Sequence, residues 1–141
     1  MAIGNLAWET VQLPLYTIWS SGTRGEILFA LFHCTAGDIL IAISGLILAV
    51  SVARLFGWPQ FGARMATLLV LGGIGYTVFS EWLNVEIRRR WAYAPSMPVL
   101  PWLGTGLAPL LQWLVVPLAG TEVARRGLRS ATPSRDREAS R

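Results

Sequence analysis

The sequence is poor in charged side chains and contains no lysine. Charged residues make up 14% of the chain, whereas hydrophobic residues make up 53%. Soluble domains usually carry about 25% charged residues. The composition therefore excludes an ordinary soluble domain and indicates an all-α integral membrane protein of one domain.

Cysteine and histidine occur once each, as Cys34 and His33. A single cysteine excludes an intramolecular disulfide framework and a metal site made of cysteines alone. His33, Cys34 and Asp38 are candidate metal ligands by residue type, but their spacing matches no diagnostic motif. The sequences GxxxxGK[ST], HExxH and GxSxG are also absent, so no cofactor or catalytic class follows from a motif.

Four stretches approach the length of about 20 apolar residues that a helix needs to cross a bilayer. Three are strongly apolar and cover 27–53, 65–85 and 98–119, whereas the first, over 2–21, carries several polar residues. Short connections force consecutive helices to run antiparallel. The sequence therefore predicts an antiparallel four-helix transmembrane bundle over 1–120, with a half-inserted first segment as the alternative.

Half of the twelve arginines lie in the last 21 residues, 121–141, together with three acidic residues. This segment also mixes Ser and Pro, so we expect a disordered basic tail. A basic tail beside the last span favours a cytoplasmic position and attraction to anionic lipid over nucleic-acid binding. We expect a lipid bilayer and no nucleic acid as partner, a bacterial-type inner (plasma) membrane, and both termini in the cytoplasm. A homo-oligomer and a larger membrane complex both stay open.

Each predicted span carries its polar or small residues on one helical face, because they recur three or four positions apart. Lipid cannot satisfy polar groups, so these faces should turn towards one another and form a polar interior. The faces consist of Asn5, Glu9, Gln12 and Tyr16 in the first span; Ala30, Cys34, Asp38, Ala42, Gly45, Ala49 and Ala53 in the second; Gly73, Thr77, Glu81, Asn84 and Arg88 in the third; and Thr105, Pro109 and Gln112 in the fourth.

The intramembrane carboxyl groups are the strongest candidates for function, because a charge near the bilayer centre costs at least about 2.5–3.5 kcal/mol. A rise of about 1.5 Å per residue places Glu9 and Asp38 at similar depth, with His33 and Glu81 nearer the face where the first two spans join. Two neighbouring carboxylates in a medium of low dielectric do not both ionise easily, so we expect Glu9 and Asp38 to share a proton. Glu81 is the third candidate acid or base.

The candidate substrate-binding residues are polar residues nearer the membrane face where the first two predicted spans join. They are His33, Asn84, Arg88, Arg89 and Tyr93. The arginines at 88–90 suit an anionic head group, and simple snorkelling into the membrane interface explains them equally well. His33 has a simpler interpretation too, as a hydrogen-bonded interior residue.

Three functions fit these residues. The first is a small polytopic protein of transport type that handles protons, cations or a small substrate at Glu9, Asp38 and Glu81. The second is a membrane-embedded enzyme that uses the same carboxyl groups as acid and base on a lipid-like substrate. The third is a non-catalytic membrane subunit or assembly factor whose polar faces meet a partner. Four short spans with an early Glu resemble the small multidrug-resistance exporters in outline only; Asp38, His33 and Glu81 lie outside that pattern, and the chain is not assigned to that family.

Overall fold

The computed structural model describes residues 1–58 and 62–131. These residues form five α-helices, a 3₁₀ turn and a π-helix, without a β-strand in the described ranges. The helices are α1 (Ala2–Gln12), α2 (Ile18–Ser21), α3 (Arg24–Leu55), α4 (Ala63–Glu81) and α5 (Leu107–Ala131); the 3₁₀ turn is Leu13–Leu15 and the π-helix is Trp82–Ile87.

Three helical segments are long and apolar enough to cross a membrane. They are α3, α4 together with the π-helix (Ala63–Ile87), and α5 as far as Gly127. Large apolar side chains cover their outer faces, and Leu28, Phe32 and Leu71 are each more than half exposed. The all-helical class and these spanning lengths confirm that part of the sequence prediction.

The longest helix, α3, begins where its sequence provides a capping box. The Thr23 side chain accepts a hydrogen bond from the Glu26 backbone N–H at 3.3 Å, and Glu26 Oε2 accepts one from the Thr23 backbone N–H at 2.8 Å. Each side chain thus satisfies a backbone donor that the first helical turn leaves unpaired. The helix starts three residues before the predicted span at 27–53 for this reason.

The first predicted span, over 2–21, is not one continuous helix. α1 has 11 residues and ends at Gln12, Pro14 lies in the first turn of the 3₁₀ segment, and Tyr16 is extended. Proline lacks a backbone N–H and its ring clashes with the preceding helical turn, so an α-helix cannot run through this point undisturbed. The described residues therefore contain three helices of spanning length, where the sequence predicted four.

The fourth predicted span, over 98–119, is shifted towards the C-terminus. Two prolines and Gly104, whose φ is +64°, keep 98–106 in turns, and α5 begins only at Leu107. Proline lacks the backbone donor of a helical hydrogen bond and a positive φ lies outside the helical region, so both disfavour a helix over this segment.

The prediction that the tail is disordered from residue 121 onwards is wrong for 121–131, because α5 continues to Ala131. Glu122 forms ion pairs with Arg125 at 2.6 Å and with Arg126 at 2.7 Å. These partners lie three and four positions along the helix, a spacing that supports helical structure. The rest of the predicted tail, 132–141, lies outside the described residues.

Helix packing encloses the predicted polar faces. α1 packs against α3 and α5, and α4 packs against the same two helices, so the four helices surround a common interior. The polar residues that are buried there are Asn5, Glu9, Gln12, Thr35, Thr77, Glu81, Thr105 and Gln112. All of them except Thr35 belong to the faces that the spacing predicted.

The segment after the π-helix folds back over the break between α1 and α2. Thr17 N–H donates to Ala92 O at 3.0 Å, and Ala94 N–H donates to Leu15 O at 2.9 Å. This short antiparallel pairing places Tyr93 opposite Tyr16. Tyr16 and Tyr93, which lie far apart in the sequence, thus meet near the end of α4.

Candidate functional site

Glu9 of α1 and Asp38 of α3 form a carboxyl pair in the interior. Glu9 is 5% exposed and Asp38 is partly buried. Their carboxyl groups lie close enough to interact directly. Two carboxyl groups this close in a medium of low dielectric do not both ionise easily, so we expect the pair to hold one proton. The structure thus brings Glu9 and Asp38 together.

Two glutamines hold the carboxyl pair from either side. Gln12 Nε2 donates to Glu9 Oε1 at 2.7 Å, and Gln112 Nε2 donates to Asp38 Oδ2 at 2.6 Å. Gln12 Nε2 also donates to Gln112 Oε1 at 3.3 Å, which links the two amides. Side chains of α1, α3 and α5 therefore meet in one network.

The same network continues along α1 in both directions. Trp8 Nε1 donates to Gln12 Oε1 at 3.2 Å and to Ala108 O at 3.1 Å. Gln112 Nε2 donates to Asn5 Oδ1 at 3.4 Å. A carboxamide accepts through its oxygen and can still donate through its nitrogen. The amides therefore orient one another and the carboxyl pair.

Glu81, Tyr16 and Tyr93 form a second cluster, which we call the tyrosine site. Glu81 ends α4, is 7% exposed and accepts a hydrogen bond from the Tyr93 hydroxyl. Tyr16 lies close to the Glu81 carboxyl, and its ring centroid is 5.6 Å from that of Tyr93. The π-helix begins directly after Glu81, and such helices occur frequently at functional sites.

Tyr93 is held in place by the backbone of the following turn. Gly106 N–H donates to the Tyr93 hydroxyl at 2.9 Å. A Cβ on Gly106 would lie 3.2 Å from Tyr93 Cε1 and 3.0 Å from Met97 Sδ, so a larger residue would press on both. Burial, with the Glu81 carboxylate beside it, raises the pKa of the Tyr93 phenol above its ordinary value. The phenol therefore stays protonated near neutral pH and remains a donor to Glu81.

The carboxyl groups of the site lack basic partners. In residues 1–58 and 62–127, no Arg or His lies within ion-pair distance of Glu9, Asp38 or Glu81. Glu81 is also close enough to both other carboxyl groups for electrostatic interaction. Three ionised carboxylates without a neutralising partner would be costly in a medium of low dielectric, so the site favours bound protons.

Several sequence-predicted residues lie away from these clusters. His33 is exposed and stacks on Phe29, with ring centroids 5.2 Å apart. Arg88 and Arg89 are exposed as well, and Asn84 Nδ2 donates to Ser80 O of its own helix at 2.8 Å. The structure therefore brings Tyr93, but not these four residues, to the carboxyl groups.

The candidate metal ligands His33, Cys34 and Asp38 do not point to a common position. Five positions separate His33 from Asp38, which is a rotation of about 140° around a helix, so the two side chains face different directions. Cys34 is partly buried and lies close enough to all three carboxyl groups to interact with them. Among the described residues, no group of three or more His, Cys, Asp or Glu side chains is arranged to hold a metal ion.

Sequence reasoning undervalued the uncharged polar residues of the site. Asn5, Gln12, Gln112 and Tyr16 were assigned to interior faces, yet only ionisable groups and the residues near Arg88 were proposed as site residues. The signal that identifies the amides is their spacing. Each amide shares the inward face of its own span with other polar or small residues, because they recur three or four positions apart. Thr35 is buried as well, although it is not on the interior face predicted for its span.

Comparison of the chain with known protein families, with curated proteins and with solved structures finds no match. The residues of the site are therefore the basis for any functional assignment.

Proposed function

We propose that the protein is a small polytopic membrane protein of transport type that handles protons at the carboxyl pair of Glu9 and Asp38. The close approach of these two carboxyl groups, on separate helices and without an ion-pair partner among the described residues, is the observation that carries the proposal. Two interacting carboxyl groups titrate as a pair, so together they can take up and release one proton. Glu81 is the next proton acceptor. It lies close enough to Glu9 for electrostatic interaction, and it accepts a hydrogen bond from the Tyr93 hydroxyl.

We further propose that α3, α4 and α5 cross the bilayer and that α1 with its following turns forms the fourth, broken crossing of an antiparallel bundle. The contacts of α1 support this arrangement, because Met1 lies against Gly120 and Gly4 lies against Val116. Trp8 then reaches Ala108 O, near the start of α5. α1 therefore runs opposite to the part of α5 that it contacts, which supports a position of both termini on the same side.

The arginines near the end of α5 favour the cytoplasm for that side. Arg125 and Arg126 follow the last apolar stretch, and basic residues next to membrane spans are enriched on the cytoplasmic face. The proposed location is a bacterial-type inner (plasma) membrane. Arg88 and Arg89 then lie on the outer side, where their exposed guanidinium groups meet lipid head groups.

One observation favours the alternative of an enzyme that acts on a lipid-like substrate. An apolar groove of about 570 Å³ lies between α1 and α5, lined among others by Gly4, Trp8 and Val116. The Trp8 indole also donates to Gln12, which in turn donates to Glu9. A hydrocarbon chain in this groove would be linked to the carboxyl pair through Trp8 by two hydrogen bonds.

Proton flux into liposomes tests the proposed function. The purified protein is reconstituted with a pH-sensitive dye inside the vesicles, and a potassium diffusion potential drives protons inwards. We expect flux above that of protein-free liposomes, and we expect Glu9→Gln or Asp38→Asn to reduce it to the protein-free level. Both variants remove a proton site but keep the shape and hydrogen-bonding capacity of the side chain.

Glu122→Gln is the matched control, because it removes a carboxyl group that binds only surface arginines in the described structure. It should leave the flux unchanged. A wild-type protein that conducts no better than protein-free liposomes would contradict the proposal. In that case, hydrolysis or transfer on lipid substrates that needs both Glu9 and Asp38 would favour the enzyme.

A further inference from the structure

Three buried hydrogen-bonding groups around the site have no protein partner within the described residues. They are Nδ2 of Asn5, Oγ1 of Thr35 and Nε1 of Trp91. Asn5 is 2% exposed and Thr35 is 7% exposed. Folded proteins pair roughly 90% or more of such buried polar atoms, so each of these three calls for a bound acceptor or donor.

Asn5 belongs to the network of the carboxyl pair through its Oδ1, and its amide nitrogen is buried without a partner in the described part of the chain. Its Oδ1 already accepts from Gln112 Nε2, which also donates to Asp38. The free Nδ2 is therefore the last donor in a row of side-chain amides that ends beside the pair. A group that accepts this hydrogen bond must be buried as well, because Asn5 is 2% exposed.

Thr35 differs from two other helical threonines, Thr10 and Thr67, in its hydrogen bonding. Thr10 donates to Leu6 O at 2.8 Å and Thr67 donates to Ala63 O at 3.0 Å, which is the ordinary bond to the carbonyl one turn earlier. Thr35 makes no such bond, although the same carbonyl position exists in α3. It precedes Asp38 by three positions on the buried face, so its hydroxyl is available to a partner inside the bundle.

Trp91 supplies the third free donor beside the tyrosine site. Its Nε1 is buried close to the Glu81 carboxyl, but it forms no hydrogen bond of ordinary geometry with that group. A single molecule between them would accept from the indole and donate to the carboxylate. The free donors thus lie at both carboxyl clusters.

We propose that these groups bind ordered water, and that the bound water connects the carboxyl pair with Glu81. Water fits because it accepts from N–H groups and at the same time donates to carboxylates. A metal cation would be repelled by the N–H donors, and an anion would be repelled by the three carboxyl groups. Buried water typically makes about three hydrogen bonds to such groups.

The resulting proton path deepens the proposed function and rests on it, whereas the hydration itself does not. In the path, the O–H bond of the protonated carboxyl group breaks as its proton joins a bound water. That water passes one of its own protons onwards, and the last water gives a proton to the Glu81 carboxylate. One proton is transferred in total, and no other reactant is needed.

X-ray radiolytic labelling of the full-length protein in lipid nanodiscs tests the hydration directly. X-rays generate hydroxyl radicals from water where it is bound, and these radicals oxidise the nearest reactive side chains. We expect rapid oxidation of Cys34, which lies close to all three carboxyl groups. Met65 is the internal control, because it is 1% exposed within the apolar core between α3 and α4 and should stay unmodified.

Thr35→Val provides the matched variant, because it replaces the hydroxyl group by a methyl group of similar size. We expect oxidation of Cys34 to fall severalfold in this variant and the melting temperature to fall as well, since the water loses a partner. Thr67→Val, on the exposed face of α4, should change neither quantity appreciably. If the site is dry, Thr35→Val removes an unpaired buried hydroxyl and raises the melting temperature instead.

These measurements can overturn the bound water and the transport function separately. Cys34 labelled no faster than Met65, together with a higher melting temperature of Thr35→Val, overturns the bound water whatever the proton flux. Rapid Cys34 oxidation that Thr35→Val leaves unchanged also overturns it, because the water then does not depend on the hydroxyl. Labelling that falls in Thr35→Val supports the water, and an absence of proton flux in that same protein overturns only the transport function.

Discussion

The contact between Gly73 of α4 and Trp113 of α5 allows a severe test of how these helices pack. A Cβ atom built on Gly73 would lie 2.0 Å from Trp113 Cε3 and 2.3 Å from Cδ2. The indole is rigid and only 4% exposed, so it cannot move away without displacing its own neighbours. We therefore predict that Gly73→Ala is destabilising even though alanine is the better helix former.

The size of the effect follows from two opposing terms. Forcing extra volume into a packed core costs about 1–3 kcal/mol and sometimes more, whereas Ala in place of Gly gains about 0.5–1 kcal/mol in a helix. An approach of 2.0 Å lies far inside van der Waals contact. We expect a net loss of about 2 kcal/mol in the free energy of unfolding.

Two neighbouring glycines of α4 are the controls. Gly72 and Gly75 are exposed, and a Cβ on either would meet no atom within 4 Å. Their alanine variants should be unchanged or slightly more stable. Unfolding is followed by circular dichroism during titration of detergent micelles with sodium dodecyl sulfate. If Gly73→Ala is as stable as Gly72→Ala, the packing of Trp113 on Gly73 is wrong.

Two further predictions concern the network and the membrane topology. Gln112→Leu should lower the free energy of unfolding by about 1–3 kcal/mol, because Asp38 and Gln12 lose a buried partner; an unchanged midpoint in the same titration would contradict this network. Reporters fused before Met1 and after Ala131 should both report the cytoplasm, and one at Ala94 the opposite side. A reporter before Met1 on the side of Ala94 would exclude a crossing by the first segment.

Local sequence was sufficient to locate the long helices. Apolar runs over 27–53 and 65–85 lie within Arg24–Leu55 and Ala63–Ile87, because hydropathy and helix length are properties of one segment. The same reasoning failed at 98–106, where the residues are apolar but prolines and a positive φ at Gly104 enforce turns. Composition alone also overstated the disorder of 121–131, where ion pairs at helical spacing oppose it.

Helical periodicity by itself determined which side chains face the interior, since each residue of a helix is rotated by about 100° from the last. That rule placed Glu9, Asp38 and Glu81 inside. Only the tertiary structure decided which of them touch, that the amide of Gln112 reaches Asp38, and that Tyr93 folds back onto Glu81. The register between helices depends on contacts between distant segments, such as an indole resting on a glycine, and no single stretch of sequence contains both members of such a pair.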